Sequence, residues 1–156
     1  VYTEHLEASA REITKIFGTG SDSSLFRFGP KPELVGLTPR DVQEGAVADG
    51  YIITDAAEHF RNINLGSAYY PMHIWGRWVD IPAEELPKNL AVAVNGIIQS
   101  TTQTYQIPGY HDYFSAVIPG DVLVAGQNLL QFFAIEESEG ELVLREIMLS
   151  GHPVIE

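Results

Sequence analysis

From residue 50 onward, apolar residues largely alternate with polar ones, which is the pattern of β-strands that bury one face against a core. Proline, glycine and Asn-Gly turn signals separate most of these segments. About seven or eight short strands at this spacing predict a mainly β fold, an antiparallel sandwich of the jelly-roll or galactose-binding type. The candidate strands are Ser24 to Phe28, Gly50 to Thr54, Pro71 to Trp78, Leu90 to Val94, Ile97 to Tyr105, Tyr113 to Ile118, Leu129 to Ile135 and Glu141 to Leu149.

One of these strands should lie in the middle of the fold. Between Leu130 and Ile135, apolar residues occupy both faces, with Phe132 on one face and Phe133 on the other. A strand of this kind is either central in its sheet or covered by a helix.

The N-terminal segment has a helical period instead. An amphipathic helix is predicted from Thr3 to Phe17, because apolar residues recur at helical spacing: Leu6, Ala10, Ile13 and Phe17. We therefore interpret residues 1–20 as a helical lead-in that followed an upstream domain, and residues 21–156 as the β-sandwich domain. Because residue 1 is Val and not Met, we expect the chain to be a piece of a longer protein. Residues 30–50 are irregular, with a short turn of helix expected from Pro39 to Val42.

The dipeptide Asn95-Gly96 lies between two apolar runs, where it predicts a two-residue type I′ hairpin turn. Gly126 and Asn128 are interpreted as a second structural turn, in which the Asn side chain bonds nearby backbone. The alternative is that Asn95 lines a ligand site. In the turn interpretation, Gly96→Val destabilises the domain and Asn95→Gly is mild.

The stretch from Tyr69 to Trp78 is unusually rich in aromatic residues, and it supplies the candidate ligand contacts Tyr70, Trp75 and Arg77. Strand alternation places Trp75 and Arg77 on one face and Trp78 on the other, so that one Trp is core and the other is available to a ligand. Aromatic rings stack on sugars, and Arg pairs with sulfate or carboxylate. Packing in the core or against another domain is the competing explanation.

His111 is a further candidate ligand contact, although a loop role is expected for His111-Asp112 because adjacent strand residues face opposite ways. No cofactor and no metal site is predicted, because the five His residues lack metal-ligand spacing and there is no Cys. The acidic run from Glu136 to Glu141 is either a solvated hairpin loop or a weak Ca²⁺ site. Serine-hydrolase and phosphate-loop motifs are missing as well.

The charge of the chain is strongly negative: Asp and Glu number 21 against 9 Lys and Arg, a formal net charge of −12. Such a surface repels phosphate backbones and anionic lipid, so we expect no nucleic-acid partner. The composition is that of a salt-adapted organism or simply of a soluble acidic domain.

Added salt is expected to raise the melting temperature, because salt screens the self-repulsion of a chain with a charge of −12. Differential scanning calorimetry from low salt to about 1 M NaCl measures this effect. A flat or falling curve would remove the argument for salt adaptation.

Two stretches resemble a known family. They are Phe17-Gly18-Thr19-Gly20 with Leu25 to Gly36, and Leu90 to Gly96 continuing through Phe114 to Pro119 and Ala125 to Leu129. In that order they resemble the non-catalytic C-terminal segment of bacterial membrane-bound sulfatase-like proteins of the alkaline phosphatase superfamily. The second half also resembles the β-sandwich modules of glycoside hydrolases.

The resemblance implies that another domain of the protein performs the catalysis. Sulfatase-like enzymes use a nucleophile in a C/S-x-P-x-R motif with a cation, and Thr38-Pro39-Arg40 lacks that arrangement. The chemistry would therefore belong to an upstream domain on the extracytoplasmic side of a membrane-anchored protein. The expected role of this chain is a non-catalytic accessory domain, for interdomain packing or for positioning a glycan or sulfated ligand. The alternative is a free-standing carbohydrate-binding module of a glycoside hydrolase.

Overall fold

A computed structural model describes residues 29–66 and 73–150, without the side chains of Tyr110 and His111. The predicted helix from Thr3 to Phe17 and the candidate strand from Ser24 to Phe28 lie outside these residues. The described elements are nine strands and one short α-helix: β1 (Gln43–Glu44), β2 (Tyr51–Ile53), α1 (Ala56–Arg61), β3 (His73–Val79), β4 (Asn89–Val94), β5 (Ile97–Gln103), β6 (Tyr105–Ile107), β7 (Tyr110–Val117), β8 (Leu130–Ser138) and β9 (Glu141–Leu149).

The mainly β prediction is confirmed, but the sheet is not purely antiparallel. The strands pair in the order β5-β4-β8-β9-β2-β3-β7-β6, and β1 also pairs with β9. Both β1 and β2 run parallel to β9, while the other pairs are antiparallel.

The parallel pairing arises because one segment follows a single edge of β9. Gln43 pairs with Val143 and Tyr51 with Met148, and the segment between them keeps contact through hydrogen bonds from the Gly45 and Ala48 amides to the Leu144 and Glu146 carbonyls. Many residues separate this segment from β9 in the sequence, and a connection of that length permits parallel pairing. Turn signals predict local hairpins only, so the sequence pattern did not reveal it.

The sheet curls around one main core. Ile52, Trp78, Phe114 and Phe132 are buried inside it, and the Phe114 and Phe132 rings meet edge to face with centroids 5.3 Å apart. The two arms of the sheet approach each other where the Thr102 hydroxyl donates to the Ser115 carbonyl at 2.6 Å. The strands therefore expose one face of β3, β6 and β7 to solvent while their other face closes the core.

A second apolar cluster covers the opposite face of β4 and β8. It includes Leu34, Ala91, Phe133 and Leu144, each nearly inaccessible to solvent. The strand around Phe132 and Phe133 was predicted to be either central or covered by a helix, and it is central, because β8 lies between β4 and β9. In the described residues its outer face is covered by Leu34, which is part of a three-residue 3-10 turn, Pro32–Leu34.

The predicted turn of helix around Pro39 is present as a 3-10 turn, Pro39–Asp41. Thr38 caps it: its hydroxyl accepts from the Asp41 amide, and the Asp41 carboxylate accepts from the Thr38 amide. The hydrogen bond from the Thr38 backbone amide to the Asp41 carboxylate, and after it a hydrogen bond from the Thr38 side chain, lower the pKa of Asp41.

One predicted strand is divided in the structure, and one helix was not predicted. The candidate strand from Ile97 to Tyr105 is two strands, interrupted at Thr104. The buried Thr104 hydroxyl accepts from the Lys88 amide at 2.8 Å, while the Thr104 amide donates to the Lys88 carbonyl, and these contacts redirect the chain. The helix α1 was not predicted, because six residues with only Ala56 and Phe60 buried give too short a periodic signal.

Candidate functional site

An array of aromatic rings lies on the outward face of β3, β6 and β7. The Trp75 and Tyr113 rings are nearly parallel, 13° apart, with centroids separated by 6.1 Å. Tyr105 extends the array from β6, with its centroid 6.3 Å from that of Tyr113. Trp75 is 49% exposed and Tyr105 is 42% exposed, so ring surface remains open to solvent.

The array follows directly from strand pairing. Tyr113 is opposite Arg77 on β3 and opposite Tyr105 on β6, and Trp75 is opposite Ser115. Because alternate residues of a strand face the same side, Trp75 and Arg77 share the outward face with Tyr113. Between them, Gly76 is buried close to Ile53, where an added Cβ would lie 2.3 Å from the Ile53 carbonyl oxygen.

A bidentate ion pair adjoins the rings. The Arg77 guanidinium donates from Nε to Asp112 Oδ1 and from Nη2 to Asp112 Oδ2, both at 3.1 Å. Its central carbon also lies 5.6 Å from the centroid of Tyr113, within the range of a cation–π contact. Arg77 therefore holds the carboxylate and the ring in one fixed arrangement.

A β-bulge in β7 makes this arrangement possible. Tyr105 pairs with Tyr113 and Ile107 with Tyr110, so β7 has two residues opposite the single residue Gln106. The extra residue interrupts alternation, and consecutive residues Asp112 and Tyr113 both contact Arg77. The expectation of a loop role for His111-Asp112 is therefore wrong, since both residues belong to β7.

The other candidate ligand contacts fall differently. Tyr70 lies outside the described residues, and His111 is placed in β7 without a described side chain. Trp78 is 1% exposed and donates its indole N–H to the Asp49 carbonyl at 3.0 Å. As alternation predicts, Trp78 belongs to the core and Trp75 to the surface.

Other groups border the rings on the same face. His73 contacts the Ser115 hydroxyl at 2.5 Å through Nε2. Three apolar side chains are exposed on outward positions of this arm of the sheet, Ile53 (36%), Val117 (46%) and Met148 (58%). The face is thus aromatic at its centre, with exposed apolar side chains on β2, β7 and β9.

The Asn95-Gly96 dipeptide forms a tight hairpin between β4 and β5. Asn95 and Gly96 have φ angles of 51° and 86°, and Val94 pairs directly with Ile97. Asn95 also contacts a neighbouring loop: its Nδ2 donates to Asn128 Oδ1, and its Oδ1 accepts from the Leu129 amide, each at 2.9 Å. The side chain that sequence analysis treated as dispensable therefore ties two loops together.

Asn128 organises that neighbouring loop. It is 4% exposed; its Oδ1 accepts from the Val124 amide at 2.9 Å, and its Nδ2 donates to the Val124 and Gly126 carbonyls. Gly126, with a φ of 85°, makes a two-way backbone pair with Ile63 at 2.8 Å in each direction. The amides of Asn95 and Asn128 are thus occupied by protein groups.

Substitution at the hairpin tests this role. Gly96→Val is expected to lower the free energy of unfolding by about 1 kcal/mol or more through its positive φ alone, since nothing lies within 4 Å of an added Cβ. Asn95→Gly, expected to be mild from sequence, is now expected to cost about 1–2 kcal/mol, because two hydrogen bonds are lost. Urea unfolding of both variants measures these changes in free energy. An unchanged urea midpoint for Asn95→Gly would show that the Asn95 side chain does not stabilise the contact between the two loops.

The acidic run at the β8–β9 hairpin is engaged in ion pairs. Glu136 pairs with Arg145 at 3.1 Å, and Glu137 lies 3.5 Å from Lys31. Glu139 and Gly140 form the turn, with φ angles of 53° and 81°. Among the described residues, no group of three or more His, Asp or Glu side chains is placed to hold a metal ion.

Sequence analysis did not identify Tyr105 and Tyr113 as members of one array with Trp75. Their outward positions follow from alternation, but which strand lies beside β3 depends on pairing between segments far apart in sequence. The bulge that brings Asp112 to Arg77 has no recognisable signal in the residues 111–112.

In the part of the chain that the structure describes, no helix is long and apolar enough to cross a membrane. No family model, curated protein or solved structure matches this chain.

Proposed function

We propose that this chain is a non-catalytic accessory domain that binds a glycan on the outward face of β3, β6 and β7. The observation that supports this function is the exposed array of Trp75, Tyr113 and Tyr105. The negative π faces of aromatic rings attract the weakly positive C–H groups on one side of a sugar ring. Trp75 and Tyr105, at 49% and 42% exposure, provide such a surface without rearrangement.

The surroundings of the rings favour binding over catalysis. Arg77 and Asp112 are paired with each other, and the face has no nucleophile–base–orienter set in the described residues beyond the His73–Ser115 contact. Aryl sulfate hydrolysis by the purified chain is expected to stay at background with divalent metal present. Turnover that persists through repurification would overturn the non-catalytic role.

The proposal places the domain in a larger protein. In its first form, the domain is a jelly-roll or galactose-binding-like sandwich that follows the catalytic domain of a sulfatase-like, membrane-anchored protein and binds a glycan beside it on the extracytoplasmic side. In its second form, the same domain is a carbohydrate-binding module of a glycoside hydrolase. The full-length gene distinguishes the two, through the type of catalytic domain that it encodes.

Interdomain packing is a second candidate, and the exposed Ile53, Val117 and Met148 on the same face favour it. A neighbouring domain would cover these apolar side chains together with Trp75.

A glycan array screened with the parent chain and with Trp75→Ala tests glycan binding. We expect the parent chain to bind glycans on the array and Trp75→Ala to lose this binding. The melting temperature of Trp75→Ala should stay close to that of the parent. An array without hits, or hits that Trp75→Ala retains, would contradict glycan binding by this face and leave interdomain packing as the better explanation.

A further inference from the structure

The arginine beside the aromatic rings is already neutralised. Two parallel hydrogen bonds of 3.1 Å join the Arg77 guanidinium to the Asp112 carboxylate, and the side chains are only 32% and 16% exposed. A bidentate pair uses the two donors of one guanidinium edge for one carboxylate. A sulfate or uronate group arriving at Arg77 would have to share the guanidinium with Asp112, whose negative charge offsets that of Arg77 and repels the incoming anion.

The rest of the chain adds to this repulsion. The net charge is −12, and Lys31, Lys88 and Arg145 pair with glutamates elsewhere in the described structure. Like charges disfavour the approach of an anionic ligand, and salt weakens the effect.

The aromatic rings favour sugars of a particular stereochemistry. A pyranose whose hydroxyl groups are all equatorial presents axial C–H groups on both of its faces. Such a ring can stack on the exposed surface of Trp75 without burying an unpaired hydroxyl. Gluco-configured, β-linked sugars have this arrangement along the whole oligosaccharide.

The geometry points to neutral, gluco-configured glycans as the ligand class, with the Arg77–Asp112 pair excluding sulfated and uronic-acid glycans. This inference rests on the proposed glycan-binding function and narrows it. Arg77, which looks from sequence like a sulfate ligand, instead positions Tyr113 and is closed to anions by Asp112.

Isothermal titration with cellohexaose and with sulfated cellohexaose tests the selectivity. We expect the parent chain to bind the neutral probe at least about tenfold more tightly at low salt. In Asp112→Asn, the ratio of the two association constants is expected to shift toward the sulfated probe by at least about tenfold, because the negative charge that offsets the Arg77 guanidinium is removed. That shift should shrink at about 0.5 M NaCl, because the Debye length becomes short at this ionic strength and charge interactions are screened.

The double variant Arg77→Gln/Asp112→Asn is the matched control, since it removes both charges and should lose the gain seen in Asp112→Asn. Thermal melts establish that each variant is folded. Preferential binding of the sulfated probe by the parent chain, lost in Trp75→Ala, would overturn the selectivity while keeping the glycan-binding face. Binding of neither probe by the parent would overturn both.

Discussion

Replacing Trp78 with alanine is expected to lower the free energy of unfolding by about 3–5 kcal/mol, the range for truncation of a fully buried aromatic side chain. Trp78 is 1% exposed among the core residues between the arms of the sheet. Its indole N–H donates to the Asp49 carbonyl, and the Lys88 ammonium lies 5.3 Å from a ring centroid. The truncation leaves a cavity and an unpaired carbonyl, which act in the same direction.

Trp75→Ala is the matched control, because it makes the same chemical change three residues away in the same strand. Trp75 is 49% exposed, so its truncation should cost much less stability. Urea unfolding monitored by far-UV circular dichroism compares both variants with the parent. Equal losses at the two positions would contradict the assignment of one Trp to the core and the other to the surface.

Asn128→Ala is expected to lower the free energy of unfolding by roughly 2–4 kcal/mol, although Asn128 lies in a loop. Asn128 is 4% exposed. Its truncation removes the hydrogen-bond partner of the Val124 backbone amide, of the Asn95 side-chain amide and of the Val124 and Gly126 carbonyls. Several polar groups near the interior lose their partners together. This cost should exceed that of Asn95→Gly, which breaks only part of the network.

Gln127→Ala provides the control for Asn128→Ala, because Gln127 is the exposed neighbour in the same loop. Its melting temperature should stay close to that of the parent. Hydrogen exchange adds a local readout: the Val124 and Leu129 amides should lose protection in Asn128→Ala. Unchanged exchange at both amides would show that Asn128 does not organise the loop.

Strand positions could be predicted well where hydrophobic alternation is clear. The predicted strand from Glu141 to Leu149 has the bounds of β9, and the predicted Leu90 to Val94 differs from β4 by one residue. In both, turn residues flank a run of sufficient length, so that local signals decide the outcome. The boundary at Thr104 was missed because it depends on a contact with Lys88 from another segment.

The order of the strands could not be predicted, because it depends on contacts between distant segments. The parallel edge formed by residues 43–53 requires knowledge that β9 lies beside them. A sequence pattern records which face of a strand is apolar, but not which strand is its neighbour. The purely antiparallel sheet was therefore wrong while the mainly β class was confirmed.

The same limit applies to the candidate site. Alternation alone separated Trp75 from Trp78 and grouped Trp75 with Arg77. It did not bring Tyr105 and Tyr113 to them, because that depends on the β3–β7–β6 pairing. It also led to a loop prediction for Asp112, since the bulge beside Tyr113 breaks the rule on which the prediction relied.

The sequence offers two candidate ligand sites, the Asn95 hairpin and the aromatic face. The structure accounts for their residues in different ways. The side-chain amide of Asn95 is hydrogen-bonded to Asn128 and to the Leu129 backbone amide, and these bonds link the hairpin to the neighbouring loop. The rings of Trp75 and Tyr105 have exposed surface that no such tie explains. A ligand is therefore expected at the rings and not at the hairpin.

Isothermal titration of cellohexaose into the parent chain, Trp75→Ala and Leu129→Ala is the most direct test. Leu129 is 55% exposed and lies beside the Asn95 hairpin, so its variant removes apolar surface of similar exposure at the other location. We expect Trp75→Ala to weaken binding by at least about tenfold and Leu129→Ala by less than about twofold. No binding by the parent, equal binding by Trp75→Ala, or loss confined to Leu129→Ala would contradict glycan binding by the aromatic face.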